Sequence, residues 1–149
     1  MHRKVLCFAI LTALWGAIYV TSLSSPVLLD DTDTVHAEAV REMVQNGDWV
    51  TLTINNGVRY LEKAPLMYWL SALCVSLFGL SEWTVRFPVA FAHLALTFLI
   101  YQMGKRLWHE RVGFYAALIY LTCLGPYAFT RIFHPDVILA FFIALALNC

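Results

Sequence analysis

Charge is missing from long stretches of this chain, and those gaps limit what it can fold into. No Asp, Glu, Lys or Arg lies between Lys4 and Asp30, between Lys63 and Glu82, between Arg86 and Lys105, between Arg111 and Arg131, or after Asp136. A helix needs about 20 apolar residues to cross a hydrocarbon core about 30 Å thick. The first, third and fourth gaps meet that length. Composition agrees: the chain is 60% hydrophobic and 13% charged, whereas a soluble domain carries about 25% charge. An ordinary soluble domain and a disordered chain are both excluded. A formal net charge of +0 also argues against a nucleic-acid partner, whose phosphates bind basic surfaces. The expected fold class is all-α: a polytopic transmembrane helical bundle with a structured external loop containing amphipathic and interfacial helices.

Residues 1–24 have the outline of a signal peptide: His2-Arg3-Lys4, an apolar run, then small residues. The apolar run continues to Leu29, too long for that role, so an uncleaved first transmembrane helix is expected. The final gap, Val137 to Cys149, is too short for a span. It reads as a cut helix, and residues 1–149 as the N-terminal part of a larger transmembrane domain. Cys7, Cys74, Cys123 and Cys149 each sit in a separate apolar stretch and make no disulfide or metal pattern.

Lys and Arg concentrate in cytoplasmic loops. Arg3 and Lys4, and Lys105, Arg106 and Arg111 against Glu110, therefore mark the cytoplasmic side. Residues 30–63 carry Asp30, Asp31, Asp33, Glu38, Glu42, Asp48 and Glu62 against Arg41, Arg59 and Lys63, and are expected outside. Residues 64–81 then cannot span, or the basic segment would end outside. They read as an interfacial or re-entrant helix over 66–80, started by Pro65 and anchored by Tyr68 and Trp69. Spanning helices are expected at about 5–27, 84–104, 112–129 and 136–149, with an external loop over about 28–65.

Inside that loop, Asp33 or Thr34 can cap a helix running to Asn46 and stopped by Gly47. Val35, Ala39 and Met43 form its apolar stripe, with His36, Glu38, Arg41 and Glu42 off it. Asn56-Gly57, between β-branched runs, predicts a hairpin turn.

This topology brings three polar clusters to one boundary: Asp30 to Asp33, Glu62-Lys63, and Arg131 to Asp136. Each has an ordinary alternative. Asp31-Thr32-Asp33 can ligate a divalent cation, or simply begin a helix. Asp136, after Pro135, can complement a helix dipole. Glu62-Lys63 can be a solvated pair, and His36 and His134 hydrogen-bonded loop residues. His93, within a span, reads as an interhelical hydrogen-bonding residue.

The motif series resembles a known family. It comprises His36 to Met43, Gly47-Asp48-Trp49-Val50-Thr51, Asn56 to Leu70 including Glu62-Lys63-Ala64-Pro65, Phe78-Gly79-Leu80, and Arg131 with Pro135-Asp136. The chain is similar here to the polyprenyl-phosphate-sugar-dependent glycosyltransferases of the C-type membrane fold, which include the lipid A aminoarabinose transferases and the protein O-mannosyltransferases. The resemblance implies a catalytic aspartate ahead of the His36–Met43 helix. Counting back from Arg41-Glu42-Met43 puts the family's acidic pair on Thr32-Asp33. An Asp-x-x-His spacing selects Asp33, and a one-residue bulge would select Asp31. It also implies that Lys63, beside Glu62, contacts the carrier phosphate, and that Asp136 is the second external acid. Ala64 replaces one of two prolines common in that motif.

The residue types suit the implied reaction. A carboxylate can take the proton of an attacking acceptor hydroxyl. Lys63, with Arg59 or Arg131, can neutralise the departing phosphate. One base opposite the leaving group predicts inversion at the sugar carbon. The implied partners are a polyprenyl-phosphate-linked sugar, an acceptor lipid, glycan or protein, and membrane lipids. The implied location is the bacterial plasma (inner) membrane, N-terminus cytoplasmic and catalytic loop periplasmic. The residues point to no definite cofactor, and the acids could hold a divalent cation. A transporter or a non-catalytic lipid-binding membrane protein is the alternative. A transport path would place charges within spans, and the charge-free gaps speak against it.

Overall fold

The computed structural model describes residues 2–24, 31–55, 57–60 and 63–148, with residues 2–4 and 31–33 described by their backbone alone. Among the described residues, seven α-helices and a small hairpin follow in order: α1 (His2–Ile18), α2 (Asp31–Asn46), β1 (Thr53–Ile54), β2 (Val58–Arg59), α3 (Leu66–Phe78), α4 (Glu82–Leu107), α5 (Glu110–Thr122), α6 (Leu124–Arg131) and α7 (Asp136–Asn148). The molecule is a polytopic membrane helical protein. The segment Val5–Ser22 and helix α4 are each long and apolar enough to cross a bilayer, and α5 with α6 forms a third span if counted as one bent helix.

Helix α4 is the central element, packing against α1, α3, α5, α6 and α7. Ser81 caps it: Thr84 N donates to Ser81 Oγ and Ser81 N to Thr84 Oγ1, satisfying two amides reciprocally. The α4–α5 turn is tight because glycines face each other. A Cβ on Gly104 would come within 2.6 Å of Gly113 Cα. Small residues of this kind let membrane helices approach closely.

Two buried clusters result. One joins α1 to α4 and α5 through Leu11, Trp15, Tyr19, Ala90, Leu94 and Leu121. The indole of Trp15 donates to Ala90 O at 2.8 Å and the Tyr19 hydroxyl to Leu121 O at 2.9 Å. The other lies where α2, α3, the start of α4 and the start of α7 meet, around Val40, Met43, Met67, Tyr68, Val89, Phe133 and Ile138.

Several local expectations change. The stretch expected as one helix over about 112–129 breaks at Cys123, which is extended (φ −67, ψ 143), and bends by 48°. Pro126 explains it: in a continuous helix its ring would collide with the Thr122 carbonyl, whereas in the first turn of α6 it needs no amide. The first helix leaves α geometry after Ile18 and tightens into a 3-10 turn at Val20–Ser22. The Thr21 and Ser22 hydroxyls donate back to Ala17 O and Ile18 O there, competing with the helical ladder. Helix α2 already includes Asp31, so neither Asp33 nor Thr34 is its cap. Its end is as expected, with Gly47 at φ +70 and its amide on Met43 O. The hairpin exists, but Ile54 pairs with Val58, leaving a three-residue loop, and Asn55 takes a positive φ of 52.

Candidate functional site

The buried face of α2 is wider than the expected stripe: Ala39 and Met43 are buried as expected, Val35 only partly, and the neighbouring positions are buried with them. His36, Val40 and Met43, at i, i+4 and i+7, are all buried, and so is Glu42. His36 and Glu42 therefore face the protein and do not lie off the packed side. The reason is local. His36 Nδ1 and the Tyr68 hydroxyl are 2.7 Å apart, and the His36 ring makes edge contacts with Tyr60, Tyr68, Phe133 and His134. An imidazole with a polar partner can be buried where a carboxylate without one could not. Tyr68 is thus 0% exposed and is no membrane anchor, while Trp69, 41% exposed, donates its indole N–H to Trp49 O at 2.6 Å.

Through His36 the structure ties three separate segments together: α2, the start of α3, and the turn before α7. His134 continues the chain of contacts, with Nδ1 3.2 Å from Asp136 Oδ1. Asp31 and Asp33 lie in the first turn of α2, one turn or so before His36; their side chains lie outside the described residues, as do Asp30 and Glu62.

Lys63 and Asp136, 73 positions apart by number, line one cleft of about 340 Å³. Its remaining walls are mainly apolar, including Leu66, Met67, Ile138, Leu139 and Phe142. Lys63 supplies a compact positive charge with three donors to the lining of this cleft. Asp136 also borders a second cleft of about 350 Å³, with His93, Tyr120, Pro126 and Phe129. It stands between the two openings. His93 Nδ1 is 2.7 Å from the Tyr120 hydroxyl, the interhelical bond expected of it.

The other expected residues are not gathered there. Arg59 is exposed on β2, and Arg131 is half-buried with its guanidinium 4.5 Å from the centroid of the Tyr127 ring. Neither borders the Lys63–Asp136 cleft. Among the described residues no three His, Cys, Asp or Glu side chains are grouped to hold a metal. Arg86, 0% exposed at the head of α4 and donating to Leu23 O, was passed over by the sequence reading, as was the structural role of His36. For His36 the signal was present, in its spacing to Val40 and Met43.

Comparison with known proteins bears on this arrangement. Residues 62–149 match the model of the family described as dolichyl-phosphate-mannose-protein mannosyltransferase. An undecaprenyl phosphate-alpha-4-amino-4-deoxy-L-arabinose arabinosyl transferase of Yersinia enterocolitica is 35% identical over 126 residues, 80% of this chain and 23% of the relative. The enzyme of that name from Photorhabdus laumondii is 30% identical over 143 residues, 95% of this chain and 26% of the relative. The chain thus spans about a quarter of the length of these curated relatives. Among solved structures, ArnT from Cupriavidus metallidurans bound to undecaprenyl phosphate superimposes with a TM-score of 0.84 at 28% identity, over 99% of this chain and 26% of that one. The family match over more than half of the chain, and relatives aligned along most of it, carry one conclusion: this chain belongs to the dolichyl-phosphate-mannose-protein mannosyltransferase family of membrane glycosyltransferases.

Proposed function

We propose that this chain forms the donor-binding and catalytic-loop part of a glycosyltransferase that moves a sugar from a polyprenyl phosphate to an acceptor hydroxyl, with inversion. The observation that carries the reading is the cleft shared by Lys63 and Asp136. A lysine lining a mainly apolar cleft suits a lipid whose only charge is a phosphate. A relative with the same fold is known in a complex with undecaprenyl phosphate.

In this reading Lys63 neutralises the phosphate as it departs, a charge stabilised most in the transition state. Glu62 and Asp136 orient the donor. Asp33, or Asp31 in the bulged register, removes the proton from the attacking hydroxyl, a contribution of about 100- to 10,000-fold. The contacts of His36 with Tyr68 and His134 would hold the α2 end steady relative to Asp136. Arg59 and Arg131, set apart from the cleft, become secondary candidates for the phosphate. The arabinosyl transferase relatives favour a pentose donor and a lipid acceptor. The loop over 28–65 and the helix over 66–80 would lie on the outer face of a bacterial inner membrane, with the α4–α5 turn cytoplasmic.

Binding of undecaprenyl phosphate to the chain in detergent tests the donor site. Lys63→Ala should weaken it at least tenfold, and Lys105→Ala, at the other end of α4, should not. Equal effects would remove Lys63 from the site. In a protein carrying this segment at its relatives' length, Asp33→Asn should abolish transfer with donor binding retained. A dead Asp31→Asn beside an active Asp33→Asn would move the base to Asp31. Near wild-type transfer by Asp30→Asn, Asp31→Asn and Asp33→Asn would refute a catalytic acid in this loop. Cysteines placed at Asp48 and Lys105 should label from opposite sides of the membrane.

A further inference from the structure

At the end of the helices opposite Lys63, an opening of about 400 Å³ lies between the starts of α1 and α5. Leu6, Ile10 and Phe114 supply apolar walls, and two adjacent residues of opposite charge, Glu110 and Arg111, stand on its border. Glu110 Oε1 is buried without a hydrogen-bond partner among the described residues. So is the hydroxyl of Tyr101, whose residue is 2% exposed. Buried polar atoms are nearly always satisfied, and one that is not calls for a partner. The position of Glu110 in the first turn of α5 suits the helix dipole, and the residue is only part-buried, so its carboxylate meets the cleft through the part that is not enclosed. Arg111 is exposed, and Lys105 and Arg106 close α4 at this same end.

We propose that this cleft binds a membrane phospholipid with a primary ammonium headgroup. The ammonium donates to the Glu110 carboxylate, the phosphodiester accepts from Arg111, and one acyl chain lies along Leu6, Ile10 and Phe114. In an ethanolamine headgroup two carbons separate ammonium from phosphate, so one neighbouring acid and base can hold both. A choline headgroup has the same charges but offers the carboxylate no N–H donor. A glycerol headgroup has no cation.

The proposal is independent of the sugar-transfer reading and is tested on the chain itself. The purified, delipidated protein is offered equal mixtures of phosphatidylethanolamine, phosphatidylcholine and phosphatidylglycerol with matched acyl chains, and retained lipid is counted by native mass spectrometry. Phosphatidylethanolamine should be retained about tenfold over phosphatidylcholine. Glu110→Gln should bring it to the phosphatidylcholine level, and Arg111→Gln should lower retention of all three. Ile10→Trp, which fills the slot without touching either charge, should lower phosphatidylethanolamine retention as well. Glu82→Gln, at the far end of α4, should change nothing. Equal retention of the three lipids by the unaltered chain, undiminished selectivity in Glu110→Gln, or undiminished phosphatidylethanolamine retention in Ile10→Trp, would overturn the proposal.

Discussion

The bundle of α1, α4 and α5 and the layer of α2, the hairpin and α3 bury their polar groups by different means. In the bundle, side-chain donors mainly reach main-chain oxygens: Trp15 to Ala90 and Tyr19 to Leu121 between helices, and Thr97 to His93 within α4, with His93 and Tyr120 a side-chain pair beside them. An apolar sequence has few side-chain acceptors to offer, and carbonyls are the acceptors that remain. In the layer, Ser71 also donates to a main-chain oxygen, that of Val85, but the centre is made of side chains that meet one another. His36 is bonded to Tyr68 and packed by Tyr60, Phe133 and His134, beside a buried Glu42. Backbone acceptors hold helices together without regard to which residue lies opposite. Side-chain pairs fix which segments meet, and the candidate site lies on the side where those pairs are.

The strongest challenge to this contrast is in the bundle. Gly113→Val forces new atoms against the backbone of Tyr101 and Lys105. It should cost at least about 1–3 kcal/mol, read as a lower thermal midpoint in detergent, with the layer weakened only through α4. A matched pair of hydroxyl deletions comes next. Tyr68→Phe and Tyr19→Phe should each cost about 0.5–1.5 kcal/mol. The first should raise hydrogen exchange in α2 and leave α1 unchanged, and the second should do the reverse. Loss of protection in both regions from either variant would mean that the two clusters form one cooperative unit.

The smallest effect is in the layer itself, in the loop between α2 and the hairpin. The Asp48 carboxylate accepts from the amides of Thr51 and Val50, which lowers its pKa below the ordinary carboxylate value. A depressed folded pKa contributes stability above the unfolded value of about 3.9, and that contribution is lost as pH falls through the folded pKa. Amide shifts of Val50 and Thr51 should therefore report the turn opening only below about pH 4. Asp48→Ala should show no such titration.

Much of the bundle was legible from charge alone, because a gap of about 20 apolar residues has few other uses. The break at Cys123 was not read, although Pro126 and Gly125 announced it. The hydropathy of 112–129 is continuous, while helix geometry is decided by one missing amide. In the layer, Gly47 and Pro65 marked the ends of α2 and α3 correctly. The burial of His36 was missed because a polar residue on a helix face is read as solvated until its partner is known, and Tyr68 lies 32 positions away. The meeting of Lys63 with Asp136 followed from topology. That neither Arg59 nor Arg131 borders that cleft did not, since a boundary shared by several loops does not say which residues share a cavity.

The bonds from Trp15 and Tyr19 also bear on how this sequence can drift. Their acceptors are the main-chain oxygens of Ala90 and Leu121, and every amino acid supplies one. Exchanging the residue on the accepting side therefore leaves the joint its oxygen, with only volume to be matched. The constraint falls on one partner of each pair. A fold assembled with one-sided contacts of this kind can accumulate substitutions for a long time while its helices keep their places, as a TM-score of 0.84 at 28% identity requires.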